Sequence, residues 1–193
     1  MSIKQGKLFI VSAPTGCGKT TIVQELLKRG TVTVKLVITY TTRPQGQGEI
    51  NGQHYHFITH EDFLAKKAHG FFLETTVYKG FLYGSPKSIL DEIKKGASFI
   101  MVVDRPGALH LKTLVPKAIS IWLTVSNPET LVTRLTKRGR ETGDILAGRI
   151  ALAQEEFASE LDQKNFTYYV LNDDMRLALQ SLETIMLNET RSS

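Results

Sequence analysis

The sequence predicts an α/β fold: a doubly wound parallel sheet of the P-loop type, with an inserted small α+β subdomain and a helical lid. Three observations carry that expectation. Short unbroken apolar runs alternate with helix-like stretches, a glycine-rich turn follows the first run, and residues 41–95 interrupt the alternation.

Four apolar runs, Lys7–Ala13, Ser98–Asp104, Ile119–Val125 and Thr167–Leu171, are read as strands. Pieces such as LFIV and FIMVV lack polar alternation, which suits strands covered on both faces by helices. Val34–Tyr40 (VKLVITY) is read as a fifth strand of the same sheet. The helices that follow the four runs are Lys19–Lys28, Arg105–Thr113, Pro128–Lys137 and Arg176–Leu187. Asn127 ahead of Pro128 has the form of an N-cap followed by proline in the first turn. Within residues 41–95 the pieces HYHFIT and FFLETTVY read as short strands, with a helix near Pro86–Lys95. Residues 137–149 are charged and punctuated by glycine, as a mobile basic flap would be, and lead into a helix through about Leu161. The tail Asn188–Ser193 is expected to be loose.

Composition narrows the partners. The 193 residues suit one domain, and 41% hydrophobic residues suffice for a core. Lys and Arg number 24 against 19 Asp and Glu, a formal charge of +5, which favours anionic ligands. The chain has no long Lys/Arg run, no aromatic-laced basic motif and no zinc-ligand spacing, so no nucleic-acid partner is expected. The single cysteine, Cys17, excludes an intramolecular disulfide framework. The N-terminal apolar run is far shorter than the ~20 residues that span a bilayer, so neither membrane nor export is expected and the assignment is cytoplasmic. The five histidines show no metal spacing beyond HYH, and structural or surface roles are assigned to them.

The turn in KLFIVSAPTGCGKTT lies between a buried strand and a helix, the context that gives a phosphate-loop motif its meaning. Backbone N–H groups of such a turn, with the helix N-terminus behind them, favour a polyphosphate. Gly16 and Gly18 permit the turn, Lys19 reaches the β- and γ-phosphates, and the Thr20 hydroxyl is placed for Mg²⁺. Ala13 stands where the motif usually begins with glycine. Cys17, inside the loop, is read as a small residue that fits there, not as a redox thiol.

With TTRPQGQGEINGQHYHF, FFLETTVYKGFLYGS, RLTKRGR and VLNDD following in order, the chain resembles the guanylate kinase family from about residue 6 to 187. The resemblance implies transfer of the γ-phosphoryl of ATP to GMP or dGMP with Mg²⁺. It also implies a GMP-binding subdomain at 39–95, a lid at 137–149 and a core from 1–38, 96–136 and 150–193. Ala13, Pro14, Thr15, Gly16, Cys17, Gly18, Lys19, Thr20 and Thr21 would bind ATP, joined by Arg134, Arg138 and Asn172. Thr39, Arg43, Tyr55, Glu74, Tyr83, Ser85 and Asp104 would bind GMP. Arg43 suits the GMP phosphate because a guanidinium is a planar fork, and Glu74 suits guanine because a carboxylate accepts from both N1–H and N2–H. Lys19, Arg43, Arg138 and Arg149, with Arg140 in the flap, would neutralise charge in the transfer. Asp104 is a second, weaker candidate for the metal. Oligomeric state stays open between monomer and homodimer.

Two departures from the family pattern matter. Gly46 occupies the position of a second phosphate-binding arginine, and the strand end that usually reads LDIDxQG reads MVVDRPG. Arg105 is a candidate replacement for the missing guanidinium. Two other readings stay open on the sequence: a kinase of another monophosphate or sugar phosphate, and a non-catalytic binding module of the same fold. Modules of that kind tend to lose the phosphate loop, whereas Lys19 and Thr20 are present here.

Overall fold

A computed structural model describes residues 4–78, 80–139 and 142–191. Five parallel strands form the main sheet, in the order β2, β7, β1, β8, β9: β1 (Leu8–Ser12), β2 (Lys35–Leu36), β7 (Phe99–Val102), β8 (Ile119–Thr124) and β9 (Tyr168–Leu171). Because successive side chains of a strand point to opposite faces, β1 feeds two cores. Phe9 and Val11 pack with Ile22 and Leu26 of α1 (Lys19–Arg29), Leu131 of α5 (Glu129–Arg138) and Leu182 of α7 (Met175–Arg191). Leu8 and Ile10 pack with Trp122, Phe166 and Leu111 of α4 (Arg105–Leu114). Helices on both faces explain why the strand runs show no polar alternation.

A second sheet, ordered β4, β3, β6, β5, comes from β3 (Tyr40–Thr41), β4 (His56–Phe57), β5 (Phe72–Tyr78) and β6 (Phe81–Pro86). It carries α2 (His60–Ala68) and is followed by α3 (Ile89–Lys94). The remaining helix is α6 (Gly143–Gln163).

Four expectations need correction. Val34–Tyr40 is not one strand. Lys35–Leu36 joins the main sheet and Val37 N–H still donates to Ile100 there, but Thr39 O already accepts from His56 and Tyr40–Thr41 belong to the second sheet. The apolar run crosses from one sheet to the other, so its composition hides the break. Helix α2 was not expected. Its start is coded by Thr59, whose Oγ1 accepts from Asp62 N–H at 3.0 Å, and its anchor is the buried Phe63. The tail is helical as far as Arg191, whose carbonyl accepts from Lys4 Nζ. Helix α5 starts at Glu129, one residue past Pro128, with Asn127 Oδ1 accepting the Glu129 N–H at 2.9 Å. Arg140, expected in the flap, lies outside the described residues. Among the described residues no helix is long and apolar enough to cross a membrane.

Candidate active site

The turn between β1 and α1 is held by side chains that arrive from the far end of the chain. Asn172, just past β9, donates from Nδ2 to Cys17 O at 2.7 Å, and Arg134 of α5 donates to the same carbonyl at 3.2 Å. Arg134 also donates to Asn172 O at 2.8 Å, tying the three together. Gly18 has φ +97, and a Cβ there would stand 3.2 Å from the Asn172 amide. Gly16, at φ +86, would drive a Cβ to 2.8 Å from Leu135 Cγ. Both positions therefore require glycine for conformation and for space.

Lys19 opens α1, half-buried, and donates from Nζ to Ala13 O at 2.7 Å across the turn. Burial holds its pKa below the usual lysine value, and the charges of Glu156 and Asp104 oppose that shift while Arg149 adds to it. Arg149 of α6 therefore lies within electrostatic reach of the loop. Arg138, the last residue of α5, is exposed. Thr20 is exposed in the first turn of α1. Cys17 is fully buried, and burial pushes its thiol up to about 11, against the lowering effects of Lys19 and Arg134. A thiol so protonated is a poor nucleophile, in keeping with its reading as a packing residue.

The second sheet gathers the other expected residues. Arg43 donates from Nη2 to Glu49 Oε1 at 2.7 Å and from Nη1 to Pro44 O at 2.9 Å. Its guanidinium stands over the Tyr55 and Phe57 rings, 5.4 and 5.5 Å from their centroids, and the Tyr55 ring meets Tyr83 edge-on at 6.0 Å. Glu49 accepts as well from Gly46 N–H at 2.7 Å, so one carboxylate spans the position without its arginine. Glu74 lies opposite Ser85 across β5 and β6, buried, and accepts the Ser85 hydroxyl at 2.8 Å. Burial raises its pKa; the Ser85 hydrogen bond opposes the rise and the nearby Asp104 adds to it. Thr39 is half-buried, next to β3.

Asp104 links the two regions. Its Oδ1 caps α4 by accepting Gly107 N–H at 2.8 Å, and a Cβ at that position would fall 2.7 Å from the oxygen, so a larger residue would make the cap shift. Its charge is felt by both Lys19 and Glu74. Asp104 follows β7, the parallel neighbour of β1, and caps α4, which packs against β5, so it lies between the phosphate turn and the strand of Glu74. Arg105 faces elsewhere: Nε donates to Glu160 at 2.9 Å and Nη2 to Gln163 at 2.8 Å, so it does not replace the guanidinium missing at Gly46. His56 stacks on Tyr40, and no group of three or more His, Cys, Asp or Glu among the described residues is arranged to hold a metal.

Two site residues escaped the sequence reading. One is Glu49, inside the quoted GEINGQHYHF segment. The other is Glu156, whose Oε2 accepts from the Thr15 N–H at 2.9 Å and the Thr15 hydroxyl at 3.3 Å. Its spacing of seven from Arg149 puts both on one face of α6 and was the available signal.

The family model described as guanylate kinase matches residues 5–189. A guanylate kinase of Shewanella denitrificans is 34% identical over 187 residues, covering 96% of this chain and 88% of that protein. One of Dechloromonas aromatica is 37% identical over 182 residues, with 94% and 88% covered. Among solved structures, the guanylate kinase from Anaplasma phagocytophilum matches the fold with a TM-score of 0.76 at 24% identity, over 97% of this chain and 87% of that one.

Proposed function

This chain belongs to the guanylate kinase family, and we propose that it moves the γ-phosphoryl of ATP onto GMP, and onto dGMP, through the residues assembled around Asp104. The observation that supports the residue-level reading is the position of Asp104, after the β7 strand that pairs with β1 and at the start of the α4 helix that packs against β5. Phosphoryl transfer is mainly a matter of positioning and charge, and two anion-ready sites on one cleft supply both.

On the donor side, the Thr15–Thr20 amides and Lys19 hold the phosphates, with Lys19 exchanging its bond to Ala13 O for phosphate oxygen. Arg134 and Asn172 fix the loop through Cys17 O. On the acceptor side, Arg43, Tyr55 and Tyr83 hold the GMP phosphate, while Glu74, with Ser85 and Thr39, takes the guanine edge. The acceptor needs no protein base, because a phosphate monoester is already largely dianionic at pH 7. Arg138 and Arg149 neutralise charge on the transferring group. Residues 39–95 act as the acceptor subdomain and 137–149 as the lid, closing on the core formed by 1–38, 96–136 and 150–193.

The oxygen donors on the cleft suit Mg²⁺, a hard cation that is commonly held by one or two protein oxygens together with substrate phosphates. Thr20 presents an exposed hydroxyl, and Asp104 has one carboxylate oxygen engaged by Gly107 and a second beside it. Bound there, Mg²⁺ would neutralise phosphate charge. The test is a coupled assay of ATP with GMP, dGMP, AMP, UMP and CMP. Turnover confined to the guanine acceptors is expected; a preference for any other base overturns the assignment of Glu74.

A further inference from the structure

An anion of the chain itself sits on the phosphate loop. One oxygen of Glu156 takes both the backbone N–H and the hydroxyl of Thr15, at 2.9 and 3.3 Å. Thr15 belongs to the turn whose amides suit phosphate oxygens. Lys19 Nζ ends two residues from Thr15, on Ala13 O at 2.7 Å, and the charge of Glu156 opposes the lowering of the lysine pKa. The carboxylate therefore lies at the lysine's end of the loop, the end that grips the β- and γ-phosphates of a triphosphate. Arg149, on the same face of α6, is a further charge neighbour of Lys19. Glu156 thus offsets cations that a bound triphosphate would offset in its place.

We propose that Glu156 is a positioning residue that reads the length of the donor's phosphate chain, standing in for the terminal phosphoryl and yielding its place only to a triphosphate. The inference rests on the reading of Ala13–Thr21 as the ATP loop. One amide cannot serve the carboxylate and a phosphate oxygen at once, and the two anions repel. ATP must therefore expel Glu156 before it is fully seated. ADP leaves the Thr15 amide to the carboxylate and binds without that cost. When the γ-phosphoryl has passed to the acceptor, Glu156 returns to Thr15, and Lys19 and Arg149 keep a counter-charge. The consequence is a narrower gap between ATP and ADP affinity than the loop would otherwise show. A purely structural role, with the Thr15–Glu156 bond pinning α6 to the core, predicts something different: its loss would weaken both nucleotides alike.

Calorimetric titration of the full chain with Mg²⁺ and either ATP or ADP, without acceptor, separates these cases. Wild type, Glu156→Gln and Glu156→Ala are compared, with the melting temperature of each. Both variants are expected to bind ATP about tenfold more tightly, the order of one like-charge contact in a partly solvated cleft, with ADP changed by less than about threefold. The glutamine variant keeps the size of the side chain and an acceptor for Thr15, so it carries the comparison if the alanine variant melts early. Equal shifts for the two nucleotides, or weaker ATP binding, overturn the proposal. Wild type that binds neither nucleotide overturns the loop reading beneath it, a separate failure.

Discussion

Glu74 illustrates how much one side chain is asked to do. It is buried, so its carboxyl is raised above the ordinary 4.5, yet the proposed guanine contact needs it ionised. Between 4.5 and the raised folded value, the folded chain holds a proton that the unfolded chain has lost. Glu74 therefore favours folding at the acid end of that window, and the contribution is lost as pH rises through the folded pKa. On the proposed role, GMP binding runs the other way and improves as Glu74 ionises. We expect kcat/KM for GMP to fall on the acid side at a pH above 4.5 in wild type, and that limb to be missing in Glu74→Gln. The phosphate of GMP titrates in both proteins, so their difference isolates Glu74; identical pH profiles would contradict its role. Gly46 offers the complementary test. A Cβ there would meet only the mobile end of Glu49, at 2.9 Å, with Arg43 Nη1 at 3.7 Å. Gly46→Arg is therefore accommodated by a swing of Glu49 and should lower KM for GMP about tenfold, the worth of one charge-assisted hydrogen bond. An unchanged or raised KM would show that Arg43 and the tyrosines already saturate the phosphate. The glycines of the loop were legible because motif spacing fixes them, and Glu74 and Ser85 were named singly through the family resemblance, but their hydrogen bond was not foreseen. Glu49 on Arg43 and Glu156 on Thr15 were not, since each is a pairing of charges that only the folded chain brings together.

At the scale of elements, the sequence was clear wherever burial on both faces left an unbroken apolar run, as in β1, β7 and β8. It misled where one run serves two sheets, as at Leu36–Tyr40, and where a short helix such as α2 depends on a Thr59 cap and a single buried Phe63. The join between α4 and α6 is another feature that periodicity cannot display. Arg105 begins α4 and pairs at 2.9 Å with Glu160, which is 1% exposed and also accepts the Tyr169 hydroxyl at 2.6 Å and the Asn165 N–H. Removing one partner of a buried pair strands the other charge. Arg105→Met should therefore cost ~3 kcal/mol of stability, visible as a lower denaturant midpoint. Adding Glu160→Gln should recover part of that loss, because the stranded charge goes. KM for GMP should stay near wild type in both proteins, as Arg105 points away from the acceptor pocket. A raised KM for GMP with stability intact would instead return Arg105 to the phosphate clamp.

For the whole molecule, the arrangement has a mechanical consequence. The second sheet carries the residues proposed to hold the acceptor, α5 and α6 carry Arg134, Arg138 and Arg149, and the phosphate turn follows β1 of the main sheet. Each nucleotide should draw its own region toward the core. The radius of gyration from small-angle scattering should therefore shrink more with a non-hydrolysable ATP analogue and GMP together than with either alone. A value unchanged by both would indicate a rigid binding module.

If Asp104 stands between an ATP loop and a guanine pocket read by Glu74, the enzyme must select its acceptor by the base. The direct measurement is the ratio of kcat/KM for GMP to that for AMP at saturating ATP, in wild type and in Glu74→Gln. A site built to pair two guanine N–H donors rejects a base that lacks them by ~10⁴-fold or more, because adenine would leave the carboxylate buried and unpaired. A wild-type ratio of that order is expected, with its collapse in the variant through loss of GMP activity rather than gain of AMP activity. A wild-type ratio near one, or a ratio preserved in a folded Glu74→Gln protein, would contradict it.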